Sequence, residues 1–167
     1  MRPKARILDV DGTLTDVSTI RHYVLRVKDQ KDFDAFHAES INCPPIQQAL
    51  DYAVETVEMG MVPVVATARM ERWYDLTKRW LDRELLKVVP FYDGPFHARR
   101  DGDRRSDYIV KKELFRYLIR NYDIRGAIDD NPAIVALHEE FGWPVEIVPG
   151  WDHEAVAQYI EVANRVS

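Results

Sequence analysis

The chain has 167 residues, enough for about one domain, with 46% hydrophobic and 31% charged residues, an ordinary balance for a globular protein with a substantial core. A single cysteine, Cys43, excludes an intrachain disulfide and a multi-cysteine zinc site and fits a reducing compartment, where it serves as packing. No apolar run reaches the length of a membrane span or a signal peptide, so a cytoplasmic location is expected, and a net charge of −5 argues against nucleic-acid binding over the whole surface while leaving room for a local basic strip.

In chain order, Ala5 to Val10 reads as a buried first strand, running into Asp9-Val10-Asp11-Gly12-Thr13. Side chains two apart at a strand end point the same way, so Asp9 and Asp11 can share one site, and Gly12 permits an abrupt turn. Residues 17–43 are weakly periodic and read as an insert forming a small flap or cap. Within it, Tyr23 to Val27 alternates like a hairpin strand, and Lys31 to His37 suits one or two helical turns. Pro44 and Pro45 open a helix whose inner face is Ile46, Ala49, Leu50, Ala53, Val54 and Val57, stopped by Gly60.

Val62 to Ala66 is a short apolar run ending on Thr67-Ala68-Arg69, as expected of a parallel strand buried on both faces. A helix with Trp73, Leu76, Trp80 and Leu81 on its inner face follows, and Val88 to Tyr92 is a third strand. Gly94 to Asp107 reads as a charged loop before a helix with the face Val110, Leu114, Tyr117 and Leu118, and with Lys111 in its first turns. Gly126 to Ile128 is a strand ending on Asp129-Asp130. Asn131 then caps a helix with Pro132 at its first position and Ile134, Leu137 and Phe141 inside. Val145 to Val148 gives a last strand, and Asp152 caps a terminal helix carrying Val156, Tyr159, Ile160 and Ala163.

Strands alternating with helices predict an α/β fold, a mostly parallel sheet with helices on both faces, and one domain over residues 1–167. In such sheets ligands bind beyond the carboxyl ends of the strands. Here those ends carry Asp9 and Asp11, Thr67, and Asp129 and Asp130. Carboxylates crowded at one rim require a cation, and oxygen donors without histidine or thiol suit Mg2+. A hydroxyl from Thr67 and an ammonium from Lys111 beside them suit a phosphoryl group, with Asp9 as nucleophile and Asp11 as general acid and base. The five histidines show no metal-ligand spacing and are assigned no chemistry, and Lys112 is the alternative to Lys111.

The order Asp9-Val10-Asp11-Gly12-Thr13, Thr67, Lys111, Asp129-Asp130 resembles the haloacid dehalogenase (HAD) superfamily of phosphatases, with its three-layer Rossmann-like fold. The resemblance implies Asp9 as nucleophile, Asp11 as acid and base, and Thr67 and Lys111 as phosphate binders. It implies Mg2+ held by Asp9, the Asp11 carbonyl and the acidic pair, with Asp129 favoured over Asp130 as direct ligand. A narrower resemblance, densest over residues 97–137, is to the 3′-phosphatase domain of phage polynucleotide kinase-phosphatase, carried by Arg99 to Asp107, Ile109 to Phe115 and Ala127 to Asp130. It implies action on 3′-phosphorylated DNA or RNA ends or nucleotides, with Arg21, Arg69, Arg99 and Asp107 as substrate-binding residues. It also makes a homo-oligomer possible and leaves any kinase or ligase step in a repair pathway to separate proteins. Arg100 departs from that family, which usually has an acidic residue there. The GxxxxGK[ST] loop of the kinase half is absent, so 5′ phosphorylation is not expected. The alternatives are the same chemistry on a free nucleotide or small metabolite, and a non-enzymatic receiver-type phospho-acceptor; the latter has its acidic pair at the first strand, the reverse of the order here.

Overall fold

The computed structural model describes residues 1–25 and 30–150. A five-stranded, fully parallel sheet runs in the order β3-β2-β1-β4-β5, with β1 Lys4–Leu8, β2 Val62–Met70, β3 Asp93–Arg99, β4 Asp123–Asp129 and β5 Val145–Ile147. The helices are α1 Phe33–Glu39, α2 Gln47–Glu58, α3 Tyr74–Glu84, α4 Asp107–Asn121 and α5 Pro132–Glu140. No helix among the described residues is long and apolar enough to cross a membrane.

The central strand is apolar on both faces, as a sheet covered on both sides requires. Leu8 and Val65 pack with Ala49, Leu50 and Ala53 of α2 and Trp80 and Leu81 of α3. Ala5, Ile7, Val64 and Ala66 pack on the other side with Leu114, Phe115 and Leu118 of α4 and Ile134 and Leu137 of α5. A third, smaller cluster of Val17, Ile20, Phe36 and Cys43 lies within the insert. Trp80 Nε1 donates to the Cys43 carbonyl at 2.8 Å, and Arg83 to that of Ile41 at 2.7 Å, which ties the insert's end to α3.

Several expectations shift. The third strand is Asp93–Arg99 rather than Val88 to Tyr92, and what reads as the start of a charged loop is paired to β2 as far as Met70 with Arg99. An edge strand has one open side, so it tolerates Gly94, Pro95 and polar side chains that would disrupt a central one. Trp73 sits in a 3-10 turn, Glu71–Trp73, ahead of α3 rather than on its inner face. Tyr117 is 50% exposed, and Phe115 occupies the core in its place. Tyr23 lies in a 3-10 turn, Arg21–Tyr23, instead of a hairpin strand, whose remaining expected residues reach into 26–29. The helix expected at Lys31 to His37 forms at Phe33–Glu39, with the Asp32 side chain accepting from the Ala35 N–H at 2.8 Å. The helix expected after Asp152 lies outside the described residues.

Candidate active site

All the parallel strands deliver their carboxyl ends to one rim, and β1 and β4, neighbours at the centre, deliver the carboxylates. Beyond Leu8 the chain folds tightly: the N–H groups of Leu14 and Thr15 return to the carbonyls of Asp9 and Val10 at 3.3 and 2.9 Å. Gly12 makes this possible at φ +81; a Cβ there would stand 2.1 Å from Asp130 Oδ2. Asp130 is thereby packed against the turn that carries Asp9 and Asp11.

Asp9, Asp129 and Asp130 are 6, 0 and 4% exposed, and each offers one oxygen within 4.8 Å of the others. Lys111, buried in the second turn of α4, bridges two of them, donating to Asp9 Oδ1 at 2.6 Å and Asp129 Oδ2 at 3.1 Å. Thr13 Oγ lies 3.2 Å from both Asp9 Oδ2 and Asp130 Oδ1, so its one proton serves one of them at a time. Arg21 approaches Asp130 Oδ2 at 3.4 Å and also donates to the Gly150 carbonyl.

Burial pushes the Asp9 carboxyl well above the ordinary carboxylate range; Lys111 pulls it down, and Asp129 and Asp130 push it up again. Burial likewise raises Asp129, but Lys111 and a hydrogen bond from His138 outweigh it and keep that group ionised. The cluster thus gathers three buried carboxyl groups around one ammonium, and all its ligand atoms are oxygens. That is the donor set of a hard divalent cation, so the residues fit one, with Asp9, Asp129 and Asp130 as its holders.

Asp11 is treated differently by the fold. Arg69, 3% exposed, clamps it through two parallel bonds, Nε to Oδ2 at 3.0 Å and Nη2 to Oδ1 at 2.6 Å. Burial pushes the Asp11 carboxyl up, but the Arg69 guanidinium more than offsets this and holds it below the usual range. Arg69 is itself anchored: Nη1 donates to Thr77 Oγ1 of α3 and Nη2 to Ser40 Oγ of the insert, both at 3.0 Å. Thr67 lies in β2 two residues past the Leu8–Val65 pair, 1% exposed, its hydroxyl accepting the Arg69 N–H at 3.2 Å.

The residues read from the sequence therefore separate into groups. Asp9, Lys111, Asp129, Asp130 and Arg21 meet directly, and Asp11, Thr67 and Arg69 form an adjoining cluster. Arg99 and Asp107 pair with each other at 2.6 Å, and neither bonds to Asp9, Asp11, Asp129 or Asp130. Thr13, Ser40, Thr77 and His138 join these groups without having been assigned a role from the sequence. His138 of α5 is fully buried, with Nε2 3.4 Å from Asp129 Oδ2 and its ring stacked on Phe115 at 4.7 Å. Burial lowers its pKa, so the ring is neutral, and Asp129, which only accepts, fixes the proton on Nε2. The signal in the sequence was a lone polar side chain on the apolar face shared by Ile134 and Leu137.

Residues 3–149 match the family of the polynucleotide kinase PNKP phosphatase domain. The chain belongs to this family. A chain of the Pnkp1/Rnl/Hen1 RNA repair complex is similar to this family member with a TM-score of 0.71 and 23% identity, over 90% of this chain and 44% of that one. The present chain thus spans less than half the length of that relative. The class C acid phosphatase from Bacillus anthracis with tungstate bound aligns with a TM-score of 0.60 and 19% identity, over 89% of this chain and 67% of that one. The D,D-heptose 1,7-bisphosphate phosphatase from B. bronchiseptica complexed with magnesium and phosphate gives 0.57 and 15%, over 98 and 97%. These likenesses place the PNKP phosphatase-type chain in the HAD fold.

Proposed function

We propose that the chain is a Mg2+-dependent phosphomonoesterase that removes 3′-phosphates from nucleic-acid ends through an aspartyl-phosphate on Asp9. The observation that carries this reading is Lys111 bridging Asp9 and Asp129 inside a three-carboxylate cluster, with the Arg69-held Asp11 two residues from Asp9. Membership of the PNKP phosphatase-domain family supports nucleic-acid ends over other monoesters.

A divalent cation held by Asp9, Asp129 and Asp130 supplies the neutralisation that lets an anionic nucleophile approach an anionic phosphoryl group. An Asp9 carboxylate oxygen, ionised once Lys111 and the bound cation offset its burial, attacks phosphorus, while Asp11, which can carry a proton only when Arg69 releases it, gives that proton to the departing 3′ oxygen. Asp11 then takes a proton from the water that attacks the aspartyl-phosphate, releasing inorganic phosphate and restoring Asp9. Lys111 and the Thr67 hydroxyl hold the non-bridging oxygens as charge moves onto them. In this reading residues 1–167 work as one phosphatase unit with residues 17–43 as its flap. The enzyme acts in the cytoplasm, in a repair pathway where other proteins or domains supply 5′ phosphorylation and ligation.

The test compares Mg2+-dependent phosphate release from a 3′-phosphorylated oligonucleotide, its 5′-phosphorylated twin and a 3′-mononucleotide. Turnover of the 3′ substrates with an inert 5′ twin is the expected result. Release from small phosphate esters alone would leave the chemistry standing and refute the nucleic-acid assignment. Asp9→Asn is expected to abolish release with an unchanged circular-dichroism spectrum, and a turning-over Asp9→Asn protein would remove Asp9 as nucleophile.

A further inference from the structure

The segment between β3 and α4, residues 100–106, is the most charged stretch at the rim, and the proposed chemistry uses none of it. Its inner support is Arg99, whose side chain is 11% exposed. Nε donates to the Ala68 carbonyl at 3.0 Å, Nη1 to the carbonyls of Asp103 and Arg105 at 2.9 and 2.6 Å, and Nη2 to Asp107 at 2.6 Å. Ala68 lies between Thr67 and Arg69, so the loop is bolted beside the phosphate-binding end of β2. Its other end enters α4 at Asp107, one turn before Lys111.

Every carboxylate of this region has a partner. Asp101 accepts the Arg72 N–H at 3.1 Å, Asp103 the Arg105 N–H and guanidinium at 2.8 to 3.1 Å, and Glu113 the Arg105 guanidinium at 2.6 and 3.0 Å. Asp107 holds Arg99. Among the described residues of this loop, the Arg100 and Arg104 side chains are exposed and make no ion pair or hydrogen bond. Arg100 opens a turn closed by the Asp103 N–H on the Arg100 carbonyl at 3.1 Å, and Arg104 follows that turn directly. A braced loop that satisfies its own acids and offers two unmatched guanidinium groups loses little conformational entropy when an anion arrives. Guanidinium groups bind phosphate oxygens in pairs.

We propose that Arg100 and Arg104 form a docking surface for the phosphodiester backbone of the strand that ends in the 3′-phosphate. Such contacts fix the strand's position without reading its sequence. The inference rests on the 3′-phosphatase reading above, and it explains a basic residue at position 100, where the resembling family is usually acidic.

The test measures kcat/KM for a 3′-phosphorylated oligonucleotide and a 3′-mononucleotide over a range of salt concentrations, in wild type, Arg100→Gln/Arg104→Gln and Arg120→Gln. Arg120 is an exposed control at the far end of α4. Wild type is expected to prefer the oligonucleotide, with a preference that falls as salt rises. The double variant should lose most of that preference, and its log–log salt slope should fall by about 1.4, at ~0.7 for each single-strand phosphate contact removed. The Arg120 control should keep the wild-type slope. A double variant with wild-type preference and slope, a wild type without preference, or an equal drop in the Arg120 control each overturns the surface. A wild type that hydrolyses other monoesters and no 3′-phosphate overturns the underlying reading instead.

Discussion

Asp9 and Asp11, two residues apart, are placed in opposite electrostatic surroundings. Asp9 shares a buried pocket with two other carboxylates and one ammonium, whereas Asp11 has a guanidinium to itself. Lys111→Met would leave Asp9 and Asp129 without their common cation in a dry site. It is expected to abolish turnover and to lower the thermal midpoint in the absence of Mg2+. His138 gives a subtler test, since its hydrogen bond holds a proposed metal ligand. His138→Leu should raise the Mg2+ dissociation constant by about tenfold, a typical cost of losing an outer hydrogen bond to a ligand, and His138→Gln should recover part of it; calorimetric titration reads both. The carboxylates, Thr67 and Lys111 were legible because they end strands or open a helix within recognisable motifs. His138 was not, because it lies nine residues beyond Asp129 and only the path of α5 brings it back to that side chain. Arg69 was legible as a site residue, but its bond to Asp11 depends on a contact across 58 residues of sequence.

Among the described elements, the helices were placed correctly although Trp73 and Tyr117 do not lie on their inner faces, and the edge of the sheet was misread. A buried strand such as β2 shows itself as an apolar run, while β3, with a single residue buried among seven, has the composition of a loop. α3 acts beyond its packing role, because Thr77 accepts from Arg69 and donates to the Trp73 carbonyl at 2.8 Å from a fully buried position. Thr77→Val is expected to cost about 1–3 kcal/mol in urea unfolding, the penalty of stranding a buried donor, and to lower kcat by loosening Asp11. The turn after β1 is equally exacting. Gly12→Ala combines a left-handed φ with a Cβ that would overlap Asp130, so both the thermal midpoint and phosphate release should fall together.

For the molecule as a whole, alternation of strands and helices made the architecture legible, since parallel neighbours need a crossover between them. The strand order was not, because pairing of β1 with β4 depends on packing between segments far apart in sequence. A ligand that binds only the folded site stabilises the fold, by about 2.7 kcal/mol at a hundred times its dissociation constant. Saturating Mg2+ should therefore raise the thermal midpoint of wild type, and Asp129→Asn should remove that increment. The central place of β1 has a further consequence for biosynthesis. β1 leaves the ribosome well before its β4 partner, which begins at Asp123. At ~5–20 residues per second, the intervening stretch of about 115 residues takes roughly 6 to 23 s to appear. Throughout that interval a nascent chain presents one naked edge of β1, and Asp9 waits beside it without Asp129 or Asp130. Assembly of the carboxylate cluster therefore waits for β4, and chaperone contacts with ribosome-bound chains should map to residues 4–8 until β4 emerges.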